Sequence, residues 1–174
     1  MKRAVFLDRD GVLNEVLTDR VKFVNKPEQL FLLDGAAEAV AEISKEDVEI
    51  FVVTNQGGVG LGFLKEKELH RIHQHLEKLV EEKGGRFREI TYCPHKPKAG
   101  CECRKPNAGM LLNLAGKYEI NLEKSVMVGD HERDIEAGQK AGCKTVFIGE
   151  GETNADYQAA SLFDAVEKIK EMVQ

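Results

Sequence analysis

Short apolar runs alternate along this chain with segments whose apolar residues recur at helical spacing. The runs are three or four residues long, which fits buried strands. Because strands that alternate with helices pair in parallel, the pattern predicts an α/β fold, a three-layer doubly wound and mostly parallel sheet. The predicted strands are Ala4–Leu7, Ile50–Val53, Ile90–Tyr92, Ser125–Val128 and Thr145–Ile148.

The clearest predicted helix runs from Lys65 to Lys83, where five apolar residues repeat at helical spacing before two glycines end it. His70 and His73 on this helix suggest a metal site, but their charged neighbours favour a solvated face, which is our prediction for both. Further helices are predicted at Ala36–Ile43, Ala108–Tyr118, Ile135–Ala141 and Leu162–Val173.

The size and charge of the chain exclude several functions. Its 174 residues fit a single domain that spans residues 1–174. A net charge of −5 argues against binding to a phosphate backbone, so no nucleic-acid partner is expected. No apolar run reaches the roughly 18 residues of a membrane span, and the N-terminus does not fit a signal peptide. We therefore expect a cytoplasmic protein without a membrane partner, and we expect a monomer.

Two carboxylates stand at the end of the first predicted strand. Ala4–Leu7 continues without a break into Asp8-Arg9-Asp10-Gly11. Burying charge without a counter-ion is costly, so something cationic should lie beside these side chains. Ligands of open α/β sheets bind at the carboxyl ends of strands, which would place Asp8 and Asp10 against a metal ion and an anionic substrate. A simple Asp-Gly turn is the alternative for this motif taken alone.

Polar groups follow other predicted strands in the same way. Thr54 begins a glycine-rich loop whose backbone N–H groups can approach an anion. Asp130 and Asp134 form a second acidic pair after the fourth strand. Lys105, just before a helix, supplies a positive charge. These are the kinds of group that bind a metal ion and a phosphate.

The order of these motifs resembles the haloacid dehalogenase superfamily of phosphohydrolases over residues 4 to 148, and the resemblance implies its Rossmannoid core. It implies that Asp8 is the nucleophile, which forms an aspartyl-phosphate, and that Mg²⁺ is held by Asp8, the backbone carbonyl of Asp10, and Asp130. Asp10 would be the general acid and base, with a pKa above the ordinary Asp value in at least one state. Thr54 and Lys105 would stabilise the transferring phosphoryl group.

Three of the four cysteines lie close to a histidine in the segment 93–103. Cys93, His95, Cys101 and Cys103 form a tetrahedral set of the kind that binds structural Zn²⁺. The alternative, three reduced thiols near a surface histidine, is disfavoured because free cysteines are usually buried and this segment is rich in Lys, Pro and Gly. We predict a structural zinc loop that also fixes the residues directly after it.

The Cys-x-His and Cys-x-Cys-Arg-Lys-Pro arrangement looks like the D-glycero-D-manno-heptose 1,7-bisphosphate phosphatase family, and the related histidinol-phosphate phosphatases share its outline. The resemblance implies a core without a cap domain, Mg²⁺ catalysis, structural Zn²⁺, and substrate recognition by Arg104. Asp134 is expected to orient Lys105 or a metal-bound water. The expected substrate-binding residues are Asp8, Asp10, Thr54, Asn55, Gln56, Gly57, Arg104 and Lys105.

The predicted function is hydrolysis of a small phosphorylated metabolite, heptose 1,7-bisphosphate at its 7-phosphate. The short gap between His95 and Cys101 favours histidinol phosphate as the alternative substrate, whereas Gly109-Met110 favours the heptose. A catalytically silent binding protein on the same fold is the alternative from another class. Retention of clustered charge argues against it.

Overall fold

A computed structural model describes all 174 residues as six parallel strands with helices on both faces of the sheet. The strands are β1 Ala4–Leu7, β2 Glu49–Asn55, β3 Glu89–Cys93, β4 Val126–Gly129, β5 Lys144–Ile148 and β6 Tyr157–Ala159. The helices are α1 Ala36–Ile43, α2 Glu66–Glu81, α3 Gly109–Tyr118, α4 Glu132–Ala141 and α5 Leu162–Met172.

The predicted α/β class and the five predicted strands and helices are confirmed. The sixth strand, β6, was not predicted, because it has only three residues at the sheet edge and none of them is fully buried. Helix α4 begins three residues before its predicted start at Ile135, because His131 caps it and its first turn is polar.

The strand order β3-β2-β1-β4-β5-β6 places the first strand in the middle of the sheet. The chain winds outward from β1 in one direction and then returns to add β4 on its other side. This reversal opens a crevice at the carboxyl ends of β1 and β4, which is where doubly wound sheets bind ligands.

Alternate side chains of β1 enter two different apolar cores. Val5 and Leu7 join the larger core, under α1, α2 and α5, whereas Ala4 and Phe6 join the smaller core on the face of α3. All four are completely buried. The strand is therefore held on both faces, and the residue that follows it, Asp8, has a defined position.

Three connections border the crevice: residues 8–35, 56–65 and 94–108. They lie after β1, β2 and β3 and form its walls in the absence of a separate lid. None of the helices has the length and apolar character needed to cross a membrane.

Candidate active site

A cavity of about 740 Å³ occupies the crevice. Five side chains that the sequence predicted to converge, from the ends of β1, β2 and β4 and from the loop before α3, all line it: Asp8, Asp10, Thr54, Lys105 and Asp130. Asn55, Gln56, Gly57 and Arg104 line it as well.

Lys105 is a buried cation of this site, with its ammonium group between two carboxylates. Its Nζ lies 2.9 Å from Asp8 Oδ1 and 2.7 Å from Asp134 Oδ1, and it donates to the Val53 carbonyl at 2.8 Å. Burial opposes the charged form, but the two carboxylates outweigh it and raise the pKa of Lys105. The ammonium group is therefore charged and has little freedom to move.

Asn55 holds the backbone of Lys105 from the neighbouring strand. Its Nδ2 donates to the Lys105 carbonyl at 3.1 Å, and its Oδ1 accepts from the Lys105 N–H at 3.0 Å. This paired contact explains how a loop residue 50 positions away along the chain is placed at the end of β1. The amide of Asn55 thereby positions Lys105, and a direct contact of Asn55 with substrate stays a prediction.

Asp134 is completely buried, and each of its carboxylate oxygens contacts a different group. Its Oδ2 accepts from the backbone N–H of His131 at 3.1 Å, which caps α4, while its Oδ1 pairs with Lys105. Gly129 makes room for it, because a Cβ there would lie 2.1 Å from the Asp134 Cβ. The contact with Lys105 agrees with the orienting role that the sequence suggested for Asp134.

Asp8, Asp130 and Asp134 present carboxylate oxygens that all lie within 4.8 Å of one another. Lys105 pairs with Asp8 and Asp134 but not with Asp130. Burial, followed by the charge of Asp134, raises the pKa of Asp130, and burial likewise raises the pKa of Asp8. This excess of negative charge suits a divalent cation with oxygen ligands.

Gly11 allows Asp130 to approach the end of β1. Its φ is +85°, and a Cβ at this position would lie 1.9 Å from Asp130 Oδ2. The glycine is therefore needed both for the backbone conformation and for the space that the carboxylate fills.

The side chain of Asp10 lies apart from the acidic cluster. Its Oδ1 accepts from Arg9 Nε at 2.9 Å, Arg9 Nη2 at 2.8 Å and Asn14 Nδ2 at 3.0 Å, and its Oδ2 accepts from Gln56 Nε2 at 3.3 Å. Burial acts to raise the pKa of Asp10, but the charge of Arg9 and these hydrogen bonds prevail and lower it. The sequence did not reveal these donors, and a raised pKa of Asp10 in another state of the reaction stays a prediction.

Thr54, in β2, and Gln56, directly after β2, also line the cavity. The Gln56 Nε2 donates to Thr54 Oγ1 at 2.9 Å, which leaves the hydroxyl proton of Thr54 free to be donated to an anion.

Arg104 Nη1 lies 3.4 Å from the His95 carbonyl, and Gly57 packs against the same guanidinium. A cation thus borders the mouth of the cavity, where a second anionic group of a substrate can reach it.

The four predicted zinc ligands form one cluster beside this cation. Cys93 Sγ lies 3.1 Å from Cys103 Sγ and 3.7 Å from Cys101 Sγ, and His95 Nδ1 lies 3.2 Å from Cys103 Sγ. All four ligand atoms lie within 4.8 Å of one another. Such close contact among three thiols and an imidazole suits one soft, tetrahedral metal ion at their centre.

Two buried residues of this region were missed or misread from the sequence. His73 is buried rather than solvated, and its Nε2 lies 3.1 Å from Nη1 of the buried Arg9. The helical spacing could have predicted this burial, because His73 falls between Leu69 and Leu76 on the apolar face of α2. His70 is exposed, as predicted.

Comparisons with known proteins agree with this geometry. A protein-family model described as HAD-hydrolase-like matches residues 102–171. The D-glycero-β-D-manno-heptose-1,7-bisphosphate 7-phosphatase of Pseudomonas putida is 39% identical over 152 residues, covering 86% of this chain and 85% of the relative. The corresponding α-anomer enzyme of Campylobacter jejuni is 32% identical over 171 residues, 98% of this chain and 94% of the relative.

A solved structure is similar over nearly the whole chain. The crystal structure of D,D-heptose 1,7-bisphosphate phosphatase from Bordetella bronchiseptica, complexed with magnesium and phosphate, has a TM-score of 0.88 at 30% identity, covering 97% of this chain and 98% of that chain. The protein is thus a phosphatase of the haloacid dehalogenase-like class. Within that class, the chain belongs to the D-glycero-D-manno-heptose 1,7-bisphosphate 7-phosphatase family. The magnesium complex of this relative supports Mg²⁺ as the catalytic metal.

Proposed function

We propose that this phosphatase hydrolyses D-glycero-D-manno-heptose 1,7-bisphosphate at the 7-phosphate and leaves the 1-phosphate in place. The observation that carries the proposal is the meeting of Asp8, Lys105 and Asp130 on the floor of a cavity that has Arg104 at its mouth. The floor suits the phosphoryl group that reacts, and Arg104 suits the phosphate that stays. The family name of the relatives supports the heptose as substrate.

In the first step, Asp8 attacks phosphorus and forms an aspartyl-phosphate, while the bond from phosphorus to the sugar oxygen breaks. Its Oδ1 is held by Lys105, so Oδ2 is the oxygen available for attack. Asp10 gives a proton to the leaving alkoxide, and Thr54 and Lys105 stabilise the charge on the phosphoryl oxygens.

In the second step, Asp10 takes a proton from a water that attacks the aspartyl-phosphate, which releases phosphate and restores Asp8. The lowered pKa of Asp10 suits this base role, whereas the acid role requires the pKa to rise when the anionic phosphate binds. Asp8, Asp130 and the backbone carbonyl of Asp10 would hold Mg²⁺. When bound, this ion reduces the repulsion between the nucleophile and the phosphate dianion.

We further propose that the cluster of Cys93, His95, Cys101 and Cys103 holds Zn²⁺ through His95 Nδ1 and three thiolates. Four protein ligands leave no open position, so the role of the ion is structural. The cluster ends one residue before Arg104, and Arg104 is followed by Lys105. A closed zinc loop would therefore hold both cations in register with the carboxylates.

The test is a comparison of kcat/KM on the α and β anomers of heptose 1,7-bisphosphate, histidinol phosphate and 4-nitrophenyl phosphate, each with Mg²⁺. We expect the heptose to exceed the others by at least about 100-fold, because only it places a second phosphate at Arg104. Arg104→Ala should narrow this gap and leave the rate on 4-nitrophenyl phosphate unchanged. A preference for histidinol phosphate would overturn the substrate assignment.

The nucleophile is tested by Asp8→Asn, which keeps the shape of the side chain but not its charge. We expect phosphate release to fall below detection on every substrate, with the circular dichroism spectrum and the zinc content unchanged. Glu15→Gln, on the loop after β1, is the matched control and should retain activity. An active Asn variant would contradict the assignment, and inactivity of the unaltered protein on all four substrates would favour a binding protein.

A further inference from the structure

Arg9 lies between the nucleophile Asp8 and the acid–base residue Asp10 in the sequence, and it is buried, with 1% of its surface exposed. Its Nε and Nη2 both donate to Oδ1 of Asp10, at 2.9 and 2.8 Å, and its Nη1 lies 3.1 Å from Nε2 of His73 on α2. The reaction steps above use neither Arg9 nor His73. Burying a guanidinium is costly unless its N–H groups have hydrogen-bond partners, and Asp10 and His73 are those partners here.

The contact between Arg9 and His73 fixes the form of the histidine ring. A guanidinium only donates hydrogen bonds, so Nε2 of His73 must be the acceptor, and the ring proton is on Nδ1. Burial, with the neighbouring Arg9 charge as the second cause, lowers the pKa of His73 to about 3. The ring is therefore neutral wherever the protein is folded near neutral pH, as this contact requires.

The hydrogen bonds at Asp10 are distributed unequally between its two oxygens. Oδ1 accepts three, two from Arg9 and one from Asn14, whereas Oδ2 accepts only the 3.3 Å contact from Gln56. A carboxylate oxygen with three donors has no lone pair left for a transferable proton. The proton carried during catalysis must then be on Oδ2, and Arg9 determines which oxygen that is.

We propose that His73 is a positioning residue for the acid–base step: it holds the Arg9 guanidinium, which in turn holds Oδ1 of Asp10 and keeps Oδ2 directed into the cavity. The proposal rests on the proposed function of Asp10. His73 lies on a rigid support, because its neighbours Leu69, Ile72 and Leu76 are completely buried in the core and its ring packs against Tyr92 with centroids 6.0 Å apart. Helix α2, which contributes no group to the reaction, thereby determines the geometry of proton transfer.

The test compares two phosphate esters of similar shape and different leaving group, benzyl phosphate and 4-nitrophenyl phosphate. Expulsion of benzyl alcohol needs a proton from Asp10, whereas nitrophenolate leaves without one. For His73→Leu we expect kcat/KM on benzyl phosphate to fall about tenfold, against a fall of less than about twofold on 4-nitrophenyl phosphate. His73→Gln, whose amide oxygen reaches about as far as Nε2, should restore most of the loss.

Two controls separate this proposal from simpler explanations. Asp10→Asn must itself lower kcat/KM more on benzyl phosphate than on 4-nitrophenyl phosphate; an equal loss would refute the acid role of Asp10 and not the placement of His73. His70→Leu alters the exposed neighbour on the same helix and should change neither rate.

If Asp10→Asn discriminates between the esters but His73→Leu lowers the rates on both esters equally, the positioning role is refuted. Should His73→Leu fail to fold, His73→Asn, which is too short to reach Arg9, takes its place with the same expected outcome.

Discussion

At the scale of single residues, the site depends on one buried lysine that neutralises more than one carboxylate. Lys105 is 2% exposed and pairs with Asp8 and Asp134, which are themselves buried. Desolvating these groups is costly, and the cost is offset only while all of them remain paired. The residues that carry the chemistry therefore also carry a part of the stability of the fold.

Lys105→Met should accordingly lower both activity and stability. We expect kcat to fall by at least about 100-fold, and the free energy of unfolding at pH 7 to fall by about 3–5 kcal/mol, because two buried carboxylates lose their counter-ion. Burial already raises the pKa of Asp8, and loss of the Lys105 charge would raise it further, so the folded state takes up a proton and the deficit should shrink as pH falls from 7 to 5.

Urea unfolding monitored by circular dichroism at several pH values measures this effect. Lys117→Met is the matched control, because Lys117 pairs with Glu89 at 2.7 Å but is exposed, and it should unfold like the unaltered protein. A deficit for Lys105→Met that stays constant with pH would contradict the explanation.

At the scale of elements, the site is built where two loops press against each other. Gly60 N donates to the Pro94 carbonyl at 2.8 Å and Gln56 N donates to the Cys93 carbonyl at 2.8 Å, which joins the glycine-rich loop after β2 to the cysteine loop after β3. Because Thr54 precedes one loop and Lys105 follows the other, the contact between the loops determines how far apart these two side chains lie.

Gly60→Ala should separate the loops. A Cβ at Gly60 would lie 2.6 Å from the backbone nitrogen of Lys96 and 2.8 Å from the Pro94 carbonyl oxygen, and neither atom can move without its loop. We expect kcat/KM to fall about tenfold, since small displacements of positioned groups are costly in rate. Gly116→Ala in α3 meets no atom within 4 Å, and steady-state kinetics should show it unchanged.

Cys101→Ala should remove one of four zinc ligands and loosen the loop. We expect bound zinc, measured by mass spectrometry of the metal content, to fall together with kcat, because the loop also holds Arg104 and Lys105. Cys143→Ala alters the one cysteine outside the cluster, buried beside α4, and should keep full zinc content. Full zinc occupancy in Cys101→Ala would show that the ligand set is wrong.

At the scale of the whole molecule, the acidic cluster makes stability depend on bound metal. Asp8, Asp130 and Asp134 repel one another across the central strands β1 and β4, so an ion that binds the folded chain stabilises all of it. We expect Mg²⁺ at 100-fold its Kd to raise the free energy of unfolding of EDTA-treated protein by about 2.7 kcal/mol. The gain should diminish toward pH 5, because the raised pKa values of Asp8 and Asp130 let protons compete with the ion.

Thermal unfolding with and without Mg²⁺ measures this gain. Asp130→Asn should abolish most of it, whereas Asp47→Asn, exposed near the opposite edge of the sheet, should retain it. An undiminished gain in Asp130→Asn would place the metal elsewhere.

The amino-acid sequence alone determined the fold class and the five longer strands, and it predicted side chains that line one cavity in the structure. Apolar periodicity follows from burial, and carboxylates at the ends of apolar strands mark the ligand edge of a parallel sheet. These signals are local in the chain, so they could be read without the structure. The edge strand β6 was not predicted, because its two exposed residues and one partly buried residue leave no periodic signal.

Only the tertiary structure decided which partner each polar group has. The burial of His73 and the paired contact of Asn55 with Lys105 arise between residues far apart in the chain. The lowered pKa of Asp10 depends on how the loop after β1 folds, because that fold brings Arg9 and Asn14 onto its carboxylate. Hydrogen-bond direction and electrostatic energy depend on distances of a few ångströms, and those distances exist only once the strands and loops have packed together.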